Sequence, residues 1–118
     1  MLDELNLSYN HLSDLTDINA KLGNIRVLSL QNNQIKEIGG LEKLYSLERL
    51  DLSNNLISTA NRVEGLGGLP NLHTLWVQGN PLTASETYRV DVYTAFGSRF
   101  EEVRVFLALV AIDVSYLG

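Results

Sequence analysis

One nine-residue pattern occurs four times in this 118-residue chain. The copies are Leu2-Asp-Glu-Leu-Asn-Leu-Ser-Tyr-Asn10, Ile25-Arg-Val-Leu-Ser-Leu-Gln-Asn-Asn33, Leu47-Glu-Arg-Leu-Asp-Leu-Ser-Asn-Asn55 and Leu72-His-Thr-Leu-Trp-Val-Gln-Gly-Asn80, and their closing asparagines lie 23, 22 and 25 residues apart. Each copy reads apolar, two variable, apolar, one variable, apolar, two variable, Asn. A unit of this length holds one short strand, a turn and a return, and cannot bury an apolar face by itself. Neighbouring units must stack to make a core.

The alternation inside each copy gives a short strand with one face buried, near residues 5–7, 28–30, 50–52 and 75–77. Where the chain turns away, the asparagine side chain can satisfy backbone groups that the turn leaves unpaired. Stacked copies then form a ladder of Asn10, Asn33, Asn55 and Asn80. The returns carry apolar residues at a spacing of about three, Leu12, Leu15, Ile18 and Leu22 in the first and Ile35, Ile38, Leu41 and Leu44 in the second, which suits 3₁₀ or short helical turns. The third return is longer and holds Gly65, Gly67, Gly68 and Pro70, so a looser path is expected there. Together these features are the leucine-rich repeat signature. The expected fold is an α/β repeat solenoid, with short parallel strands on the concave face, 3₁₀ or short helical turns on the convex face and a C-terminal helical cap.

Composition marks where the repeats end. Of 22 leucines, 19 lie at or before Leu82, and all 11 asparagines fall between Asn6 and Asn80. Residues 1–82 are therefore read as the repeats and 83–102 as a cap, because the last repeat of a solenoid exposes apolar surface unless it is covered. Ser85 or Thr83 could cap a helix beginning near Glu86, with Tyr88, Val92 and Phe96 forming one stripe across the open core and Gly97 following as its C-terminal stop. Residues 103–118 are apolar and β-leaning without the repeat consensus. A strand docked on the cap and an accident of a truncated reading frame both remain open. At the other end the first repeat begins at Leu2 with no capping segment before it, leaving Leu5 and Leu7 facing water on one side. The chain reads as a fragment of something longer.

Several function classes drop out. A net charge of −5 argues against non-specific nucleic-acid binding, which needs a basic surface. There is no cysteine, which excludes disulfides and zinc-thiolate sites. The longest apolar run, residues 105–112, is far shorter than the roughly 20 residues of a membrane helix. Met1 is followed by Leu2, Asp3 and Glu4, not by the basic and apolar regions of a signal peptide. A soluble, cytoplasmic chain is expected.

The variable strand positions point to the concave surface. Third positions are Glu4, Val27, Arg49 and Thr74; fifth positions are Asn6, Ser29, Asp51 and Trp76; seventh positions are Ser8, Gln31, Ser53 and Gln78. This grid holds no cluster of His, Cys or paired carboxylates suited to metal or acid–base chemistry, so no catalytic residue, metal or cofactor is expected. Trp76 stands out. It is either an interface anchor of the kind enriched at binding hot spots or a side chain packed laterally on the cap over Tyr88 or Phe96. Arg49 and Asp51 either meet a partner or pair in water with charges on the Glu4 side, where exposed pairs count for little. The candidate partner-binding set is Trp76, Arg49, Asp51, Gln31, Ser29, Gln78 and Thr74. His11 and His73 are lone histidines with surface or edge roles. Asn6-Leu7-Ser8 matches a glycosylation sequon by chance within a strand, and Gly65-Leu-Gly-Gly68 lacks the context of a phosphate loop.

The 22-residue spacing and the Leu-x-x-Leu return resemble the short intracellular repeats of the type-1 protein phosphatase regulatory-subunit class. Within that class, particular strings are similar to the nischarin-like (imidazoline-receptor-candidate) family. They are Lys21-Leu-Gly-Asn-Ile25, Leu44-Tyr-Ser-Leu47 with Leu50-Asp-Leu52, Gly68-Leu-Pro70, Asn80-Pro-Leu82, Tyr88-Arg89, and Phe96-Gly97 followed by Glu101-Glu-Val103. The tail after Val103 departs from the family's pattern. The resemblance implies a non-enzymatic scaffold of intracellular signalling, acting in cell migration, the cytoskeleton or endosomal traffic. It implies a small GTPase, a p21-activated kinase or an integrin tail as protein partner, and a cytoplasmic location peripheral to endosomes or the plasma membrane in the full-length protein. The family's phosphoinositide-binding phox-homology domain is not in this sequence, so lipid binding does not carry over. A phosphatase regulatory subunit, a kinase-interacting scaffold and a purely structural spacer are the alternatives.

Overall fold

Each copy of the pattern places one strand, and the strands stand side by side in chain order. The computed structural model describes residues 2–96 and 104–106. Strands β1 (Glu4–Asn6), β2 (Val27–Ser29), β3 (Arg49–Asp51), β4 (Thr74–Trp76) and β5 (Arg104–Phe106) form one sheet in that order. All pairings are parallel and the register never slips, with Leu5, Leu28, Leu50, Leu75 and Val105 aligned across the sheet.

The strands begin one residue earlier than the sequence suggested. Regular geometry covers the third to fifth template positions, with the central leucine flanked by two outward residues. The sixth residue already bends toward the turn, although its backbone still bonds across repeats. Leu7, Leu30 and Leu52 donate their N–H groups to the carbonyls of Ser29, Asp51 and Trp76, each at 2.8 Å.

The turn itself has a fixed conformation. Tyr9, Asn32, Asn54 and Gly79 occupy the eighth template position, and all four are left-handed, with φ of 59°, 59°, 56° and 75°. Asparagine and glycine tolerate this region, whereas tyrosine does so at a cost.

The returns pack the other side of the core. The first carries a one-turn helix, α1 (Ile18–Lys21), and the second a 3₁₀ turn over Leu41–Lys43. The third, expected to be loose, is the longest regular return: a 3₁₀ segment runs over Ala60–Gly68. Ile57, Ala60, Val63, Leu66, Leu69 and Leu72 recur every third residue and are all buried, as the eclipsed face of a 3₁₀ helix requires. The glycines fall off that face. Nothing crowds Gly68, and a Cβ on Gly67 would meet the Phe96 Cα at 3.5 Å, an ordinary contact distance, so the next helix passes directly over Gly67.

That helix is α2 (Tyr88–Phe96), reached through a 3₁₀ turn at Pro81–Ala84. It starts two residues after the expected Glu86, because Thr87 takes the flanking role. The Thr87 carbonyl accepts the Asp91 N–H at 2.9 Å and its hydroxyl donates to Asp91 Oδ2 at 2.8 Å. Ser85 accepts the Thr87 N–H at 3.3 Å, and Thr83 donates instead to the Asn80 carbonyl. Val92 and Phe96 are buried and Tyr88 half-buried, so the stripe packs the helix onto the Ala60–Gly68 segment. Gly97, the rest of the expected cap to residue 102, and residues 103 and 107–118 of the tail lie outside the described residues. Of the tail, Arg104–Phe106 forms a strand that joins the sheet beside β4.

From the second repeat onward the core is closed, whereas Leu5, Leu7, Leu12 and Leu22 are only partly buried. A groove of about 220 Å³ opens between them, Leu15 and Ile18, on the side where β1 has no neighbouring strand among the described residues.

Candidate functional site

Because the register is constant, each template position becomes a row crossing the sheet. The ladder asparagines form the innermost row. Asn33, Asn55 and Asn80 are buried. Each donates from Nδ2 to the carbonyl three residues before it and to one on the preceding repeat: Leu30 and Leu7 for Asn33, Leu52 and Leu30 for Asn55, Val77 and Leu52 for Asn80, all within 2.9–3.0 Å. Each Oδ1 accepts an N–H from the preceding repeat, that of Leu12, Ile35 or Ile57. Asn10 departs from the expected ladder. It is exposed and bonds only to the nearby carbonyls of Leu7 and Ser8, because no repeat among the described residues lies on its far side.

The second template position forms a charged rim that the sequence reading missed. Arg26 bridges Asp3 at 2.9 Å and Glu48 at 3.2 Å, and His73 Nε2 lies 3.8 Å from Glu48. Hydrogen bonds that Arg26 donates to Asp3 and then to Glu48 raise its guanidinium further above its ordinary value. The signal was the alternation Asp, Arg, Glu, His at one template position. It stabilises little, since the pairs are exposed.

The concave rows hold the expected partner-binding residues, in altered roles. Asp51 Oδ1 accepts the Ser53 N–H at 2.9 Å and its hydroxyl at 2.6 Å, as Asn6 does for Ser8. Asp51 therefore anchors its own turn and is not paired with charges near Glu4, and Ser53 is buried. Thr74, expected to be exposed, is 8% accessible. β5 flanks its strand, and the His73 ring lies 2.9 Å from its hydroxyl. Ser29, Gln31 and Gln78 are half-buried. Gln78 Oε1 is sealed from solvent and has no hydrogen-bond partner among the described residues. Trp76 is half-buried on the concave sheet, with the Arg49 guanidinium 5.7 Å from its ring centroid. Phe96, the alternative neighbour from the cap, lies instead against Gly67.

Among the described residues no group of three or more His, Cys, Asp or Glu could hold a metal, and no helix is long and apolar enough to cross a membrane. What this face offers is an aromatic–cation pair on a ribbed, rigid sheet.

Comparison with known proteins agrees with this geometry. The family described as Leucine Rich repeats (2 copies) matches residues 23–64. The fold is that of a leucine-rich repeat solenoid. Among solved structures, a leucine-rich repeat protein of Leptospira interrogans superimposes with a TM-score of 0.72 at 28% identity, covering 88% of this chain and 25% of that one. In sequence, this chain is 40% identical over 82 residues to nuclear RNA export factor 1 of Caenorhabditis elegans, covering 66% of this chain. It is 35% identical over 81 residues to the human serine/threonine-protein kinase 11-interacting protein, covering 69% of this chain. It spans only 13% and 7% of the length of these two relatives. Leucine-rich repeat domains are in general non-enzymatic surfaces for binding other proteins.

Proposed function

We propose that this chain is a non-enzymatic protein-binding module whose concave face takes the partner, with Trp76 and Arg49 at the centre of the contact and Ser29, Gln31, Asp51 and Gln78 around them. One observation carries the reading. The inward residues of β2 to β4 are closed to solvent, yet the row beside them keeps a tryptophan half-open with a guanidinium over its ring. Tryptophan and arginine are the residue types most enriched where binding energy concentrates. The test is capture of partners from cytosolic extract by the wild-type chain and by an Arg49→Glu/Trp76→Ala double variant. Loss of specific capture with an unchanged circular-dichroism melt supports the reading; undiminished capture rejects it.

A finer reading follows the nischarin-like strings. The module then serves a cytoplasmic signalling scaffold, and the retained partner is a small GTPase, a p21-activated kinase or an integrin tail. A kinase-interacting scaffold is the second reading, favoured by the name of the human relative. Retention of a kinase other than a p21-activated kinase would favour it over the first.

A further inference from the structure

On β3 the strand alternation sends Leu50 into the core and leaves Arg49 and Asp51 on the concave side. They stand two residues apart along the strand, about 6.6 Å. Opposite charges at that spacing are within side-chain reach, yet neither residue has an ion pair among the described residues. Each is held elsewhere. The Arg49 guanidinium lies over the Trp76 ring on the next strand, and Asp51 Oδ1 takes the N–H and hydroxyl of Ser53. The residues beside them on β2 and β4, Val27, Ser29, Thr74 and Trp76, carry no charge. A separated cation and anion thus sit side by side on the sheet, next to a half-open indole.

We propose that this part of the concave face binds an amphipathic α-helix of a partner protein, one that carries an acidic and a basic side chain one turn apart with an apolar residue between them. This rests on the concave-face reading and names the partner's local structure and charge. The backbone decides between helix and extended chain. The N–H and C=O groups of β2 to β4 bond in the plane of the sheet, strand to strand, so the face itself offers only side chains. An extended segment laid flat on it would bury backbone groups without partners, whereas a helix satisfies its own. Charge then sets the pattern. Residues i and i+4 of a helix hold their Cβ atoms about 5–6 Å apart on one face, close to the spacing of Arg49 and Asp51. The acidic residue meets the guanidinium through parallel N–H bonds. The basic residue meets Asp51, whose Oδ2 is not taken by Ser53. An apolar residue at i+3 shares that face and covers the open part of the indole. Because the two site charges sum to zero, a helix of like charges fits only one of them.

Trp76 is the chain's one tryptophan, so its emission reports on the site directly. The probe is an acetylated, amidated, alanine-rich helical peptide with Glu-Ala-Ala-Leu-Lys at its centre, titrated to millimolar concentration into the 118-residue chain. Beside it run peptides with Gln for the Lys, with Gln for the Glu, and with Pro for the second Ala, which breaks the helix. Asp51→Asn removes the charge and keeps the turn, because Asn6 already holds Ser8 by the same two hydrogen bonds. The expected result is a saturable change in Trp76 emission with the Glu–Lys helix, weakened by salt and lost with the Pro peptide. Asp51→Asn should lower affinity for the Glu–Lys helix at least about threefold and leave that for the Gln-for-Lys peptide unchanged; Arg49→Gln should do the same with respect to the Gln-for-Glu peptide. Circular-dichroism melts serve as the folding control for both variants. No response to the Glu–Lys helix, equal binding of the Pro peptide, or a folded variant that weakens both of its peptides alike or neither overturns the proposal. If extract capture still depends on Trp76 and Arg49 while the Glu–Lys helix fails, the concave-face reading stands and the helical ligand falls. If both fail, the face itself is wrongly assigned.

Discussion

Replacing the ladder asparagines by alanine, one at a time, should destabilise the protein in a graded series that follows the hydrogen bonds each residue makes. Among the described residues, most of the carbonyls they reach across repeats are shared, and that of Val77 is served by Asn80 alone. Leu30 O accepts from both Asn33 and Asn55, and Leu52 O from both Asn55 and Asn80, so each keeps a partner after one substitution. The N–H groups are not shared in this way. Asn55→Ala leaves the N–H of buried Ile35 without its acceptor, and Asn80→Ala strands two, those of Asn55 and Ile57. Asn33→Ala strands that of Leu12, whose residue is only half-buried and near water. Asn10→Ala strands none among the described residues. At about 1–3 kcal/mol per orphaned buried donor, the losses should be under about 1 kcal/mol for Asn10, about 1 for Asn33, about 2–3 for Asn55 and about 3–5 for Asn80. Each kcal/mol lowers Tm by about 4 °C, where the ranges for smaller and larger domains meet, so thermal melts followed by circular dichroism resolve the series. Equal shifts for Asn10 and Asn80, or a reversed order, would refute the account of the ladder as a chain of donors passed from one repeat to the one before it.

Three further outcomes are expected. Leu52→Ala should cost about 2–5 kcal/mol, as for a closed core site, and Leu7→Ala clearly less because its site opens into the groove; equal urea midpoint shifts would mean that the first repeat's edge is covered in solution. At the left-handed eighth position, Tyr9→Asn should raise stability by about 0.5–1 kcal/mol, and Gly79→Ala should lower it by at least about 1 kcal/mol, since its Cβ would also force the Asn54 side chain to move; melts that move neither way would contradict the positive φ at those residues. Hydrogen bonds from the Thr16 hydroxyl and then its backbone N–H hold the Asp14 carboxyl below its ordinary value. The stability tied to it is present above the ordinary carboxylate range and is lost as pH falls through the lowered value. Carboxyl NMR titration should find that low midpoint and see it rise in Thr16→Val; an unmoved midpoint would remove the threonine as its cause.

Most of the fold was legible because the pattern repeats. A strand, a turn and an asparagine that are each weak signals alone become strong when they recur in register, as the alignment of Leu28, Leu50 and Leu75 bears out. What escaped the sequence were features set between repeats or hidden by composition. The 3₁₀ return at Ala60–Gly68 was masked by its glycines, although its apolar residues keep a spacing of three from Ile57 to Leu72. The strand at Arg104–Phe106 lacks the template, so nothing in its own residues announced that it would pair with β4. The occlusion of Thr74 accompanies that pairing, and an exposed site assigned from one repeat's pattern could not foresee it.

The same logic separates the rows in kind. Parallel stacking places like template positions side by side, so a residue's neighbours are those more than twenty positions away and not those beside it in the chain. Arg26 illustrates this. Its charge is absorbed by Asp3 and Glu48 on flanking repeats, which makes the rim self-satisfied and a poor place for a partner's carboxylate. Arg49, one template position from that row, has the aliphatic Val27 on one side and Thr74 on the other. Its row offers no carboxylate next to it, and the indole of Trp76, one strand over and two template positions on, takes the space. A charge left without a counter-ion by its own row, beside an aromatic ring left half-open by the next, is what distinguishes this point of the surface from the rest of the solenoid.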